Sequence, residues 1–200
     1  MYTKIVGTGS YLPKKVLTND DIAQLVDTND EWIRERTGIQ SRHIVEDETT
    51  VTMASMAAKD ALENANLQPE DIDLIIVATV SADNLLPSTA CSVQKELGAV
   101  NATAFDINAA CSGFLFALNT ADAYIKTGMY KNALLIGVET LSKIVDWNDR
   151  GTCILFGDGA GAAVVAASET PGILAGIQGA DGAGGDVFKF VMDYENLTFP

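Results

Sequence analysis

The sequence predicts an α/β protein with a mostly parallel sheet that helices cover on both faces. Residues 74–80 (LIIVATV) and 133–139 (ALLIGVE) are continuous apolar runs without alternation, as expected of strands buried on both sides. A third strand is predicted at 102–107, and helical spacing follows at 87–98 and 113–126. The resulting βαβαβ order favours right-handed crossovers and parallel neighbours.

The flanking segments complete this layout. The first, KIVGTGSYLP, is typical of a short strand, and 29–38 is predicted as a charged helix that Asn29 caps and Gly38 ends. Residues 52–65 have apolar and small side chains at the spacing of an amphipathic helix. After the third strand of the unit we predict a strand CILF (153–156), a glycine-rich turn GDGAGA (157–162) and a strand AAVVAA.

Two regions are expected along the chain. Residues 1–178 form the ordered α/β part, and residues 179–200 form a glycine-rich loop with an irregular tail. The tail has no clear helical period and finishes in Pro200.

Composition excludes several classes of function. The 200 residues are 48% hydrophobic and carry a net charge of −14, which opposes non-specific attraction to nucleic acid or an anionic membrane. There is neither a signal-type apolar region nor a run approaching the roughly 20 apolar residues of a membrane span, so a cytoplasmic location is expected. The three cysteines form no CxxC pair, so we expect no disulfide framework and no metal site.

Cys111 is the candidate nucleophile. It lies in DINAACSGF, between a predicted strand and a helix whose first residues, 113–121, carry no charge. We expect that helix to be buried on all sides, and its positive N-terminal end favours a thiolate. A free cysteine among small apolar residues is equally typical of a well-packed core, so both interpretations stay open on position alone.

The other candidate residues are weaker. Cys91 and Cys153 are expected in the core, within a helix and a strand. GDGAGA is not followed by a helix, so a turn between strands is favoured over a phosphate site. His43 is the only histidine, and a Cys–His hydrolase would need it as its base, although a turn or surface role is more typical.

Trp32 and Arg36 form a second candidate site. They are four residues apart on the predicted helix 29–38, which places an aromatic ring and a guanidinium on one side of it. Such a pair can stack an adenine and hold a phosphate, although a charged helix of this kind is usually a solvated face.

The motifs together resemble the N-terminal part of β-ketoacyl-acyl-carrier-protein synthase III, a condensing enzyme of the thiolase-fold superfamily. The resemblance covers about the first 185 residues, in the family's order. The matching stretches are GTGSYLP, DTNDEWIRERTGI, RHI, DLIIVATVSAD, FDINAACSGF, DRGTCILFGDGAGAAVVAAS and GADG. It implies a thiolase-like fold of two similar halves, of which this sequence contains mainly the first.

The resemblance also implies roles for individual residues. Cys111 matches the acyl-accepting nucleophile of the family, and Leu86 matches a position that closes the acyl pocket of the partner subunit in a homodimer. Residues that match coenzyme A contacts are Thr28, Trp32, Arg36, Arg150 and Gly151. The implied substrates are a short acyl-CoA, such as acetyl-CoA, and malonyl-acyl-carrier protein, which would be condensed to a 3-ketoacyl-acyl-carrier protein without a cofactor.

The sequence departs from the family in two respects. The segment VFKFVM resembles one that in the family lies after a further loop and strand beyond GADG, so residues 186 and 187 are hypothesised to join segments that are not natively adjacent. The histidine and asparagine that stabilise the enolate belong to motifs resembling HQAN and GNTSAAS, and neither motif is present. Two alternatives to a condensing enzyme follow. One is an incomplete thiolase-like fragment that only binds coenzyme A or a partner subunit, and the other is a cysteine hydrolase, which requires His43 to reach Cys111.

Overall fold

The computed structural model describes residues 1–185. The strands are β1 (Tyr2–Tyr11), β2 (Lys15–Thr18), β3 (Ser41–Ile44), β4 (Leu74–Ala78), β5 (Thr103–Ile107), β6 (Asn132–Thr140) and β7 (Asp158–Ser168). The α-helices are α1 (Asn19–Ile22), α2 (Asp30–Thr37), α3 (Thr50–Ala65), α4 (Thr89–Leu97), α5 (Gly113–Lys126) and α6 (Arg150–Cys153). The predicted α/β class is confirmed, and the βαβαβ unit runs from β4 to β6.

The central sheet has the order β1-β7-β6-β4-β5. Strand β4 pairs in parallel with both β5 and β6, whereas β7 is antiparallel to β6 and to β1. Four of the five strands therefore run in one direction and β7 runs in the other. Because β5 and β6 flank β4 and run parallel to it, the carboxyl ends of all three strands lie at the same edge of the sheet.

Both faces of this sheet are covered, as predicted. Ile75 and Val77 pack into a cluster with α3 and α4, whereas Leu74 and Ile76 pack with α5 on the opposite face. Successive side chains of β4 point to opposite faces of the sheet, and both faces are covered. Every residue of this strand is therefore apolar, and its sequence shows no alternation of polar and apolar residues.

The glycine-rich segment corrects two of the predictions. GDGAGA is not a turn, because Asp158 begins β7 and residues 159–162 continue it between β1 and β6. CILF is not a strand, because Cys153 ends the short helix α6. A strand that is paired along both edges gains a full set of backbone hydrogen bonds, and this outweighs the turn propensity of its glycines.

Helix α5 is less buried than expected. Its buried residues form a single stripe (Gly113, Ala117, Ala121 and Ile125), while Leu115 on another face is 59% exposed. Within residues 1–185 the sheet covers one face of α5, and the segment at 176–178 contacts the helix at Asn119 and Leu115.

A smaller layer lies beside the sheet. Strands β2 and β3 form an antiparallel pair, and a cluster of Ile22, Ile33, Cys153 and Ile154 packs α1, α2 and α6 together. This cluster brings α2, which carries Trp32, next to α6, which carries Arg150.

Within the described residues, no helix is long and apolar enough to cross a membrane. The predicted boundary at 178/179 stays a prediction. The tail beyond residue 185, including the proposed junction of residues 186 and 187, lies outside the described residues.

Candidate active site

Cys111 lies in the connection between β5 and α5. It occupies a 3-10 turn, Ala110–Ser112, and its side chain is exposed. The preceding residue, Ala110, has a φ of 45°, a left-handed conformation that costs free energy for a residue with a Cβ. A Cβ on Gly113 would lie 3.0 Å from the Cβ of Ala78, so the turn packs closely on the end of β4. The strained turn presents the thiol outward, at the carboxyl edge of the parallel strands.

The thiol opens into a cavity of about 500 Å³. Its walls come from the ends of β4 and β6, the turn at Cys111, and the segment from residue 141 to residue 156. The lining is largely apolar: Ala78, Val80, Ala110, Phe114, Gly137, Val138, Leu141, Ile144, Val145 and Phe156. Such a space suits a short hydrocarbon chain attached to Cys111.

Glu139, on β6, is one of two acidic residues that line this cavity, and Asp146 is the other. Its carboxylate accepts the Val80 N–H at 2.9 Å, the Thr79 hydroxyl at 3.4 Å and a short hydrogen bond from the Ser81 hydroxyl. Burial raises the pKa of Glu139 above its usual range, and these donors oppose that rise.

Trp32 forms a second part of the site with two arginines. The guanidinium carbon of Arg36 lies 4.4 Å from the centre of the indole ring, and that of Arg150 lies 4.1 Å from it. Asn29 caps α2 by accepting the Trp32 N–H at 2.8 Å, which fixes the start of the helix that holds the indole. Cations over an aromatic ring provide both stacking surface and positive charge.

The remaining predicted coenzyme A residues flank this group. Asp149 caps α6 by accepting the Gly151 N–H at 2.9 Å, and so orients the turn that carries Arg150 and Gly151. The hydroxyl of Thr28 is buried and has no hydrogen-bond partner within the described residues. The structure therefore brings Trp32, Arg36 and Arg150 together, with Gly151 next in the chain to Arg150.

The two parts of the site meet at one segment of the chain. Thr152, two residues after Arg150, lines the cavity of Cys111, as do Val145 and Asp146. Val145 also packs on the cluster that holds Trp32. The segment 145–152 therefore contributes both to the cavity and to the group around the indole.

The other candidate residues lie elsewhere. His43 is on β3, and its Nδ1–H donates to the carbonyl of Pro13 at 2.6 Å; it does not line the Cys111 cavity. Cys153 is buried, as predicted, but in a helix, and burial raises the pKa of its thiol. The prediction for Cys91 is wrong: α4 turns Ala90 and Val93 inward and leaves Cys91 exposed. Leu86 is 83% exposed and does not line this cavity.

Sequence reasoning missed Arg42 and Glu139. Arg42 is 5% exposed and donates to Asn19 Oδ1 at 3.0 Å and to the Ile154 carbonyl at 3.1 Å. Asn19 in turn donates to Asp30 Oδ1 at 2.8 Å, so this network joins α6 to α2. The available signal for Glu139 was a charged residue near the end of the otherwise apolar strand ALLIGVET, whereas Arg42 lies between polar residues in SRHI and no such signal marks it.

The fold and the site together define a thiolase-like α/β protein with a cysteine at the carboxyl edge of its sheet. Solved structures of this class match it closely. A 3-oxoacyl-[acyl-carrier-protein] synthase III from Aquifex aeolicus superposes with a TM-score of 0.83 and 60% identity, over 84% of this chain and 55% of that one. The priming β-ketosynthase of the R1128 polyketide pathway gives a TM-score of 0.89 at 41% identity, over 92% and 55%.

The sequence comparisons specify the family. The model for 3-oxoacyl-[acyl-carrier-protein (ACP)] synthase III matches residues 105–182. β-Ketoacyl-[acyl-carrier-protein] synthase III of Clostridium acetobutylicum is 56% identical over 92% of this chain and 56% of that protein; the synthase of Caldanaerobacter subterraneus subsp. tengcongensis is 60% identical over 90% and 55%. The predicted resemblance is confirmed: the chain matches the N-terminal half of β-ketoacyl-acyl-carrier-protein synthase III, and spans about half the length of these curated relatives.

Proposed function

We propose that this chain carries the acyl-accepting part of a β-ketoacyl-acyl-carrier-protein synthase III. In this proposal Cys111 takes a short acyl group from acetyl-CoA or a similar thioester, and the acyl-enzyme is then condensed with malonyl-acyl-carrier protein. The product is the 3-ketoacyl-acyl-carrier protein that starts fatty acid synthesis.

One observation carries the proposal. An exposed cysteine on a strained turn opens into an apolar cavity, and the segment 141–156 that lines this cavity also carries Arg150, which lies with Arg36 over the indole of Trp32. An acyl-CoA has the matching parts, with an adenine and phosphates at one end and an acyl thioester at the other. Trp32 would stack the base, Arg36 and Arg150 would pair with phosphate, and Thr28 and Gly151 would line the route.

The first chemical step follows from this placement. The Cys111 thiolate attacks the thioester carbonyl, and the tetrahedral intermediate collapses with cleavage of the bond between that carbon and the sulfur of coenzyme A. The acyl group stays on Cys111, and coenzyme A leaves as its thiolate and takes up a proton. The step needs neither a redox partner nor a cofactor, and we propose none.

The second step belongs to the whole protein. Malonyl-acyl-carrier protein would lose CO2, and the resulting enolate would attack the acyl-Cys111 carbonyl and expel the thiolate. The enolate needs hydrogen-bond donors, and the family motifs that would provide them are absent from these 200 residues.

We also propose a homodimer in the cytoplasm, with no nucleic-acid or membrane partner. Leu85 and Leu86, 87% and 83% exposed, support a second subunit, because adjacent exposed leucines favour burial. The unpaired edge of β5 in the described sheet is consistent with this assembly.

The two alternatives are less well supported. A non-catalytic binding module is not favoured, since relatives at 56% and 60% identity are named as synthases. A cysteine hydrolase would need His43 as its base, but His43 lies on β3 and does not line the cavity of Cys111.

Acylation of the purified chain tests the proposal. We expect incubation with acetyl-CoA to add one acetyl group, seen by intact mass, and peptide mapping to place it on Cys111. Cys111→Ala should abolish the gain, because no other residue is positioned at the cavity as a thiol nucleophile within the described part.

Cys91→Ala is the matched control. Cys91 is also a free, exposed cysteine, but it lies on α4 outside the cavity, so its removal should leave the acetyl gain unchanged. No acetylation, or equal acetylation of both cysteines, would refute the assignment.

A further inference from the structure

The carboxyl ends of β4 and β6 are joined by one carboxylate. Glu139, on β6, accepts hydrogen bonds from three consecutive residues after β4, through the Thr79 hydroxyl, the Val80 N–H and the Ser81 hydroxyl. Val80 and Glu139 both line the cavity of Cys111. The segment 79–83 is therefore tied to β6 at the wall of the proposed acyl site.

The same segment is tied on its other side. Ser81 accepts the Thr140 N–H at 2.7 Å, and its carbonyl accepts the Thr50 hydroxyl at 2.7 Å. Asp83 accepts the N–H groups of Thr50 and Val51 at the start of α3, at 3.0 and 2.9 Å. The segment also leads directly to Leu85 and Leu86. Only Glu139 among these partners is itself part of the cavity wall.

We propose that Glu139 is a positioning residue that sets the width of the acyl cavity by holding segment 79–83 against β6. The proposal rests on the proposed function, because the cavity is taken to hold the acyl group on Cys111. A carboxylate suits this role because its two oxygens can accept hydrogen bonds from several donors of one short segment. The amide of a glutamine has only one accepting oxygen.

The structure provides a matched control at the opposite end of the same two strands. Asp73, directly before β4, accepts the Lys131 N–H at 2.7 Å directly before β6. Asp73 thus joins the amino ends of β4 and β6 as Glu139 joins their carboxyl ends. It does not line the cavity, so Asp73→Asn should affect stability without affecting acyl-chain selection.

The test compares Cys111 acylation by acetyl-CoA and hexanoyl-CoA in a Cys91→Ala background. We expect Glu139→Gln to raise the ratio of the hexanoyl to the acetyl rate about tenfold, because the released wall at Val80 admits a longer chain. Asp73→Asn should leave the ratio at the parent value. Equal ratios in the parent and both variants would overturn the proposal.

A second variant protects the test from misfolding. Ser81→Ala removes the hydroxyl that donates to Glu139 and accepts the Thr140 N–H, and it should shift the ratio in the same direction by a smaller factor. Combined with Glu139→Gln it should add less than its full single effect, because both variants remove the contact between Ser81 and Glu139. Full additivity of the two effects would contradict a shared mechanism.

A separate readout distinguishes this proposal from the proposed function. If the parent protein takes up no acyl group, the proposed function is refuted. The width of the cavity is then measured by the rates at which alkylating reagents of different size modify Cys111. Glu139→Gln should raise the rate with bulky N-phenylmaleimide relative to small iodoacetamide, and Asp73→Asn should not. An unchanged ratio in Glu139→Gln would overturn the positioning role on its own.

Discussion

At the scale of single residues, the indole of Trp32 is the most specific feature for a nucleotide. Its ring is half-buried against the cluster of α1, α2 and α6, and two guanidinium groups lie within 4.4 Å of its centre. Packing on one side and two cations over the ring surround the indole. A base that stacks on it must displace one of these guanidinium groups, which can then pair with the phosphates of the same ligand.

We expect Trp32→Ala to raise the half-saturating concentration of acetyl-CoA in Cys111 acylation about tenfold or more, because base stacking on an aromatic ring contributes about 1–3 kcal/mol. Rates with the acetyl thioester of N-acetylcysteamine, which has no nucleotide, should not change. Single-turnover acylation rates over a series of concentrations of both donors measure this, and Trp32→Phe should give an intermediate half-saturating concentration. An equal loss with both donors would show that Trp32 supports the fold rather than the nucleotide.

At the scale of elements, the closest contact is that of β1 with α3. A Cβ on Gly9 would lie 2.3 Å from both the Ala57 carbonyl oxygen and the Ala61 amide nitrogen, and Gly7 is similarly confined. The two glycines let the helix backbone rest on the strand. Alanines on α3 complete the contact, which explains the many small residues at 54–61.

Gly9→Ala should therefore destabilise the protein by about 1–3 kcal/mol or more, because backbone atoms rather than flexible side chains must move. Urea unfolding measured by circular dichroism gives the change in free energy. Gly161→Ala, at the neighbouring position of β7, is the control, since a Cβ there meets no atom within 4 Å. Similar losses in the two variants would argue against a close contact of strand and helix.

At the scale of the whole molecule, the response to acid depends on carboxylates whose pKa is shifted by folding. Burial of Asp83 alone would raise its pKa, but hydrogen bonds from Val51 and Thr50 and the ammonium of Lys143 outweigh burial and lower it. A lowered pKa means that Asp83 stabilises the fold above its unfolded pKa of about 3.9 and that this is lost as pH falls through the folded value. Glu139, with a raised pKa, has the opposite dependence.

Asp83→Asn should cost about 0.3–1 kcal/mol at pH 7, because it removes a negative charge beside the first N–H groups of α3, where a helix favours an anion. The difference from the parent should shrink below about pH 4, where Asp83 itself becomes protonated. Urea titrations at several pH values measure this difference. A pH-independent difference for Asp83→Asn would contradict the assignment.

The sequence by itself determined most of the elements and identified Cys111 as the candidate nucleophile. Apolar runs without alternation identify β4 and β6, caps such as Asn29 and Gly38 delimit α2, and local motifs are enough to place Cys111 between a strand and a helix. Such features depend on neighbours in sequence. Tertiary structure alone decided that GDGAGA is a central strand, that Cys91 faces outward, and that Arg150 reaches Trp32. These outcomes depend on residues far apart in the chain. The hydrogen bonds of Glu139 with residues 79–81 likewise form only because β4 and β6 lie side by side.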